Sequence, residues 1–213
     1  DLKWDAERDL KDLNAPDEIP ILPRGSGTIP TGPLNESTGF GDGLMFATYS
    51  LLVSGASALK KKKGPPPGTA AELAEETMAE AIALMTRPGS RLAQLKKWLA
   101  AGNESGEDVL LVFDECHKAK NLKTASGKPS KTALAVVALQ HTLPGARVLY
   151  CSATGASKVE HLAYMTRLGT WGFTSFSEFR QTIEDAGMGA MEMFSMGLKA
   201  AGAYCCRTLS YSG

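Results

Sequence analysis

Cysteine is scarce in this sequence, and neither sign of charge is in excess. The four cysteines form no C-x-x-C pair, which excludes the usual ligand spacing of a zinc site. The adjacent Cys205 and Cys206 favour reduced thiols in an intracellular setting over a disulfide framework. Lysine plus arginine equals aspartate plus glutamate at 23 each, so net charge gives no support for nucleic-acid binding. No apolar stretch reaches the roughly 18 residues of a membrane helix, so we expect no membrane partner.

The remaining composition is that of a globular protein. With 213 residues, of which 43% are hydrophobic and 22% charged, the chain is long enough to bury one substantial core. The spacing of apolar residues predicts helices over residues 3–14, 70–85, 91–99, 130–141, 159–167, 175–186 and 190–203, with a further helix beginning at 50–54. Short apolar runs predict strands at 19–22, 43–49, 109–113 and 147–151.

Two stretches of biased composition are present. Residues 57–70 form a low-complexity insert, in which four lysines at 60–63 precede Gly-Pro-Pro-Pro-Gly at 64–68. A solvated loop is the first interpretation of this insert, and a nuclear-localisation patch or a phosphate-binding loop are the alternatives. The second stretch is rich in methionine, at Met188, Met191, Met193 and Met196. We expect these side chains to fill gaps in the core, with an adaptable binding surface as the alternative.

An apolar strand that ends in two adjacent acids is the most informative feature. Residues 109–113 are typical of a buried parallel strand, and Asp114 and Glu115 follow at its carboxyl end, where an open α/β sheet binds its ligand. Asp114 would hold Mg²⁺ through water, because this ion dehydrates reluctantly. Glu115 would polarise the water that attacks a γ-phosphate. His117 would face the next motif. The alternative is a pair of acids that caps the following helix.

A second strand ends in hydroxyl side chains. Residues 147–151 are followed by Ser152 and Thr154, which we expect to lie within reach of Asp114 and His117. A bridge of this kind could report the state of a nucleotide to the rest of the protein. The alternative is a Ser/Thr-rich turn that caps a helix beginning near Ser157. About one helix separates the two strands, and this is the arrangement of motifs II and III in a superfamily 2 helicase-type ATPase.

Long stretches of the chain resemble the strawberry notch family of helicase-like proteins. The resemblance is carried by FDECHKAKNL at 113–122, SKTALAV at 130–136, LPGARVLYCSATGAS at 143–157 and AYMTRLGTWG at 163–172. Further similar stretches are residues 1–13, 46–54, 91–99 and 187–213. The resemblance covers nearly the whole chain except about residues 23–40 and 57–85.

The resemblance implies an α/β, RecA-like P-loop NTPase lobe with a mostly parallel central sheet flanked by helices. Residues 1–213 would be part of the ATP-binding lobe of a two-lobed ATPase that uses ATP and Mg²⁺. Its implied partners are the second RecA-like lobe, DNA or RNA, and chromatin or transcription factors. The implied location is the nucleus, or the cytoplasm for a bacterial or phage protein. The implied roles are ATP chemistry for Asp114, Glu115 and His117, coupling for Ser152 and Thr154, and contact with a nucleic-acid backbone for Thr48 and Tyr49.

One expected element of this family is absent from the sequence. No G-x-x-x-x-G-K-[ST] phosphate loop occurs, and Gly127-Lys128 lies after motif II and is followed by Pro129. We therefore expect an internal piece of a larger protein or a truncated gene product, inactive by itself. The alternatives are a non-enzymatic transcriptional cofactor built on a helicase lobe and a nucleoside triphosphatase of another class.

Overall fold

The computed structural model describes residues 2–14, 19–23, 28–54, 79, 82–83, 86–122, 129–154, 158–169 and 172–206. The main α-helices of the described part are α1 Leu2–Asp12, α2 Tyr49–Val53, α3 Arg91–Leu99, α4 Lys131–Thr142, α5 Phe176–Ala186 and α6 Met188–Ala200. The strands are β1 Ile21–Leu22, β2 Leu44–Met45, β3 Leu110–Phe113 and β4 Arg147–Tyr150. Short 3-10 helices lie at Glu36–Thr38, Cys116–Ala119, Val159–Leu162 and Thr166–Leu168. No helix of the described part is both long and apolar enough to cross a membrane.

The strands form two parallel pairs. Ile21 aligns with Leu44 in the β1–β2 pair, and Leu110 aligns with Arg147 at the start of the β3–β4 pair. The chain passes from β3 through α4 to β4, so this part is a βαβ unit, in which parallel strands are joined by a crossover helix. The α/β class expected from the sequence is therefore confirmed, and the carboxyl ends of β3 and β4 lie side by side.

Helix α4 is the centre of the core. Every residue from 133 to 140 is buried, so the helix is covered on all sides, as expected for a helix without a polar face. Ser130 begins it, and its Oγ accepts a hydrogen bond from the amide of Ala133 at 3.1 Å. The sequence predicted both this cap and the extent of the helix, because an apolar run follows a serine directly.

The β3–β4 sheet buries only one face. Leu111 and Phe113 are packed in the core, whereas Leu110 and Val112 are 61% and 49% exposed and Leu149 is 50% exposed. Successive side chains of a strand point to opposite faces, and the described residues cover one of these faces. The expectation that residues 109–113 form a buried strand is therefore correct for alternate residues only.

The predicted helix at 159–167 is replaced by two 3-10 helices. The carbonyl oxygen of Tyr164 accepts a hydrogen bond from Gln140 Nε2 at 2.9 Å, so it is turned toward α4. The amide of Leu168 then bonds to Met165 at 3.1 Å, three residues back, as in a 3-10 turn. A tertiary contact thus overrides the local helical pattern.

Other predicted elements agree more closely with the structure. The helix predicted at 91–99 is observed at Arg91–Leu99, and the helix predicted at 175–186 is Phe176–Ala186 with Ser175 as its cap. The strand predicted at 43–49 is shorter, Leu44–Met45, because Thr48 already caps α2. The insert at 57–70 and most of the helix predicted at 70–85 lie outside the described residues.

Helices α5 and α6 pack through phenylalanines. Phe179 is fully buried, and its ring contacts Phe173, Phe176 and Phe194 with centroid distances of 5.0 to 5.7 Å. Met193 and Met196 point away from this cluster and are 75% and 67% exposed. The prediction that the methionines fill the core is wrong for these two, because Phe194 takes the inward-facing side of α6.

Candidate functional site

The two acids lie in a tight turn at the carboxyl end of β3. Asp114 Oδ1 accepts a hydrogen bond from the amide of Glu115 at 2.9 Å. Glu115 has φ 48° and ψ 44°, in the left-handed region that residues other than glycine rarely adopt. Such a conformation costs about 1–3 kcal/mol and persists only where the surroundings fix it, and it occurs often at active sites.

Backbone bonds tie this turn to the end of β4. The amide of Cys151 donates to the carbonyl of Phe113 at 2.9 Å, and the amide of Cys116 donates to the carbonyl of Cys151 at 2.9 Å. The parallel ladder therefore extends beyond both strands to the residues that flank the acids. As a result, motif II, residues 114–117, and motif III, residues 152–154, are held against each other.

A side-chain contact joins the two motifs directly. His117 Nδ1 lies 3.0 Å from Ser152 Oγ, as expected from the sequence. Ser152 Oγ also donates to the carbonyl of Thr154 at 2.9 Å and accepts from its amide at 3.2 Å. Ser152 Oγ therefore contacts both His117 and Thr154, and which atom donates in the contact with His117 depends on the tautomer of the ring. Within the described residues, Ser152 bonds to His117 rather than to Asp114.

The carboxylate of Glu115 is partly enclosed. Its Oε2 is shielded from solvent and has no hydrogen-bond partner within the described part of the chain. His117 Nδ1 lies 3.1 Å from this oxygen, close enough for an ion pair when the ring is protonated. The Glu115 side chain as a whole is 44% exposed. A carboxylate has about four acceptor sites, so Glu115 can accept from a water molecule while its Oε2 lies beside His117.

The turn supplies only part of the ligand set that a magnesium ion needs. Asp114 is exposed at the strand end, and the described residues contain no group of three or more side chains that could hold a metal by themselves. Magnesium commonly takes one or two protein carboxylates and completes its shell with water and phosphate oxygens. Asp114 is suited to that role.

The two residues predicted to contact nucleic acid lie at the start of α2. Thr48 is exposed, and its Oγ1 caps the helix by accepting from the amide of Leu51 at 3.2 Å. Tyr49 is half-buried, and its hydroxyl donates to the carbonyl of Asp114 at 2.8 Å. Burial, reinforced by the neighbouring thiols and carboxyls, raises the pKa of Tyr49 well above its ordinary value, so the hydroxyl remains a donor. Contact of Thr48 and Tyr49 with nucleic acid stays a prediction.

A buried polar network below motif III was not predicted from the sequence. Gln140 is 1% exposed, and its Oε1 accepts hydrogen bonds from the hydroxyls of Tyr150 and, at 2.9 Å, Thr166. Its Nε2 donates to the carbonyl of Tyr164 at 2.9 Å. Burial raises the pKa of Tyr150 to about 12, so this hydroxyl stays protonated. The only signal in the sequence was one amide side chain within the apolar run of α4.

Arg167 closes the carboxyl end of α4. Its guanidinium donates to the carbonyls of Gln140 at 2.7 Å, Leu143 at 2.5 Å and Pro144 at 2.6 Å. These carbonyls lie at the end of the helix, where a cation is also favoured by the helix dipole. Arg167 thereby anchors the 3-10 helix Thr166–Leu168, which follows motif III, to the end of α4.

The sequence matches a known protein family over its whole length. The family model described as P-loop containing NTP hydrolase pore-1 matches residues 1–213. Protein strawberry notch homolog 1 is 41% identical both in Gallus gallus and in Homo sapiens, over 222 and 220 residues. Protein FORGETTER 1 of Arabidopsis thaliana is 38% identical over 227 residues. No solved structure matches the chain.

Each of these relatives matches over the full length of this chain. The chain spans 13 to 15% of the length of the relatives themselves. The ranges matched by the family model and by the relatives include the turn that carries Asp114 and Glu115. The chain belongs to the strawberry notch family and forms part of its P-loop NTP hydrolase domain.

Proposed function

We propose that this chain is part of a helicase-like ATPase that couples ATP hydrolysis to work on nucleic acid or chromatin, with a role in regulating transcription. The observation that carries the proposal is the contact of 3.0 Å between His117 and Ser152 beside the Asp114–Glu115 turn. It joins a pair of acids suited to phosphoryl transfer to the end of the neighbouring strand.

Each residue of the turn has a distinct part in this proposal. Bound Mg²⁺ would neutralise charge on the triphosphate, and Asp114 would hold the ion through water. Glu115 would orient and polarise the attacking water through its partly exposed carboxylate. His117 and Ser152 would transmit the state of the site to motif III. Phosphoryl transfer depends on such positioning more than on covalent chemistry, so small shifts in this contact would change the rate.

The partners in this proposal are nucleic acid, a second RecA-like lobe, and chromatin or transcription factors, and the proposed location is the nucleus. Thr48 and Tyr49 are the proposed contacts to the nucleic-acid backbone. Thr48 is exposed at the start of α2, and Tyr49 contacts the backbone of Asp114. The formal net charge is zero, so a basic surface would have to arise from uneven placement of charge or from other parts of the protein.

A non-enzymatic transcriptional cofactor is the second candidate. One observation favours it: within the described residues, Leu110, Val112 and Leu149 form an exposed apolar face of the sheet. Exposed apolar surfaces often mark sites where other protein segments bind. The acids at 114 and 115 favour the enzyme, because a scaffold has no need of them.

ATP turnover of the full-length protein distinguishes the two functions. The measurement compares turnover without nucleic acid, with DNA and with RNA, at equal protein concentration, and takes the Glu115→Gln variant as background. The enzyme predicts turnover that rises with DNA or RNA and falls to background in the variant. Turnover no higher than this background, from a protein that is folded by circular dichroism, would contradict the enzyme and favour the cofactor.

A further inference from the structure

We propose that Tyr49 is a positioning residue. It holds the motif II turn in the conformation in which Glu115 can hydrogen-bond to the attacking water. This inference rests on the proposed ATPase function and concerns the same site. It gives Tyr49 a role that is separate from contact with nucleic acid.

The hydroxyl of Tyr49 reaches the turn from a distant part of the chain. It donates to the carbonyl oxygen of Asp114 at 2.8 Å, across 65 positions of sequence. Tyr49 is the first residue of α2, and Thr48 caps this helix at the preceding position. Leu52 of the same helix is buried in the core, and α2 packs against α4. The tyrosine therefore projects from a fixed element and not from a free loop.

Both polar groups of one peptide unit are used at this turn. The carbonyl of Asp114 accepts from Tyr49, and the amide of Glu115, in the same peptide plane, donates to Asp114 Oδ1 at 2.9 Å. These two bonds fix the plane from opposite sides. The next dihedral is φ of Glu115, which is 48° and therefore unfavourable for a residue with a Cβ.

Loss of the Tyr49 bond would release one side of that plane. The peptide could then rotate toward a more favourable conformation of Glu115, and the carboxylate would move with it. Asp114 Oδ1 would still hold the amide, so the turn would loosen without losing its fold. Because Glu115 would act on the attacking water, this change should slow hydrolysis more than it weakens ATP binding.

The test is Tyr49→Phe in the full-length protein, measured by steady-state ATP turnover at saturating nucleic acid. We expect kcat to fall roughly tenfold, less than the 100-fold cost of displacing a reacting group by about 1 Å, and KM for ATP to change less than about twofold. Ser90→Ala is the matched control. It removes the Oγ that caps α3 through Ala93 at 3.1 Å, and thus destabilises the same domain away from motif II.

Two outcomes would overturn the inference. A kcat for Tyr49→Phe that equals the wild-type value would show that the turn does not need the bond. A fall in kcat matched by Ser90→Ala would show a general loss of stability. Failure of the proposed function is distinguishable from both, since in that case Glu115→Gln would leave turnover at the wild-type level.

Discussion

Replacing Arg167 by alanine should destabilise the domain far more than removing an arginine from its surface. The guanidinium donates to three carbonyls at the end of α4, at 2.5 to 2.7 Å. A hydrogen bond to a charged group contributes about 1.5–3 kcal/mol, so three bonds set an upper limit of roughly 9 kcal/mol. The bond to the carbonyl of Pro144 is exposed, so this carbonyl can bind water after the substitution. The carbonyls of Gln140 and Leu143 are at partly buried bonds and can bind water in part. We therefore expect a loss of about 2–4 kcal/mol.

Amide hydrogen exchange in the full-length protein is the appropriate assay. Exchange reports the opening of a chosen segment, whether or not the rest of the protein unfolds in the same transition. The amides of α4 lie in the core and should exchange through opening of this domain. A loss of 2–4 kcal/mol corresponds to exchange that is roughly 30- to 900-fold faster.

Arg180→Ala is the matched control for this prediction. Arg180 forms an ion pair with Glu184 at 3.6 Å, and the two side chains are 37% and 44% exposed. Pairs of this kind contribute about 0.5 kcal/mol, so exchange in α4 should change by roughly twofold or less. Equal exchange rates of α4 in the Arg167 and Arg180 variants would show that the three bonds of Arg167 do not stabilise the domain, and that Arg167 acts only as a surface charge.

Two further predictions concern Ser152 and His161. Ser152→Ala should remove the contact with His117 and lower the stimulation of ATP turnover by nucleic acid several-fold, roughly 3- to 10-fold. Stimulation equal to that of a Ser105→Ala control would contradict the coupling role. Burial, followed by the charge of Lys120, holds the pKa of His161 below its ordinary value of 6.5. Stability should therefore decrease as the pH falls below 6.5, because the unfolded chain takes up the proton first. A midpoint at or above 6.5 in an NMR titration of this ring would contradict the prediction.

The local chemistry of the sequence was sufficient to locate most of the site. Strand ends at 114 and 152 were predicted because short apolar runs stop at polar residues. Parallel pairing then places both ends at one edge of the sheet. The proximity of His117 and Ser152 followed from this rule alone. Their contact at 3.0 Å confirms it.

Contacts between distant segments could not be predicted from local sequence patterns. The bond from Tyr49 to Asp114 depends on where α2 packs, and periodicity within α2 does not specify this. The same applies to Gln140, whose position in an apolar helix has no local explanation. Its partners Tyr150 and Thr166 come from two other segments. The predicted helix at 159–167 was wrong for this reason, since a tertiary bond to Gln140 decides its backbone.

In the proposed mechanism, Glu115 acts in hydrolysis and not in ATP binding. The most direct measurement is a single-turnover assay of Glu115→Gln in the full-length protein with nucleic acid, together with the dissociation constant for ATP. Glu104→Gln, which changes an exposed glutamate elsewhere in the same domain, is the control. We expect the Glu115→Gln protein to keep its affinity for ATP and to hydrolyse at least about 100-fold more slowly, the scale for loss of a positioned catalytic group. Hydrolysis at the rate of the Glu104→Gln protein would show that Glu115 has no part in this step.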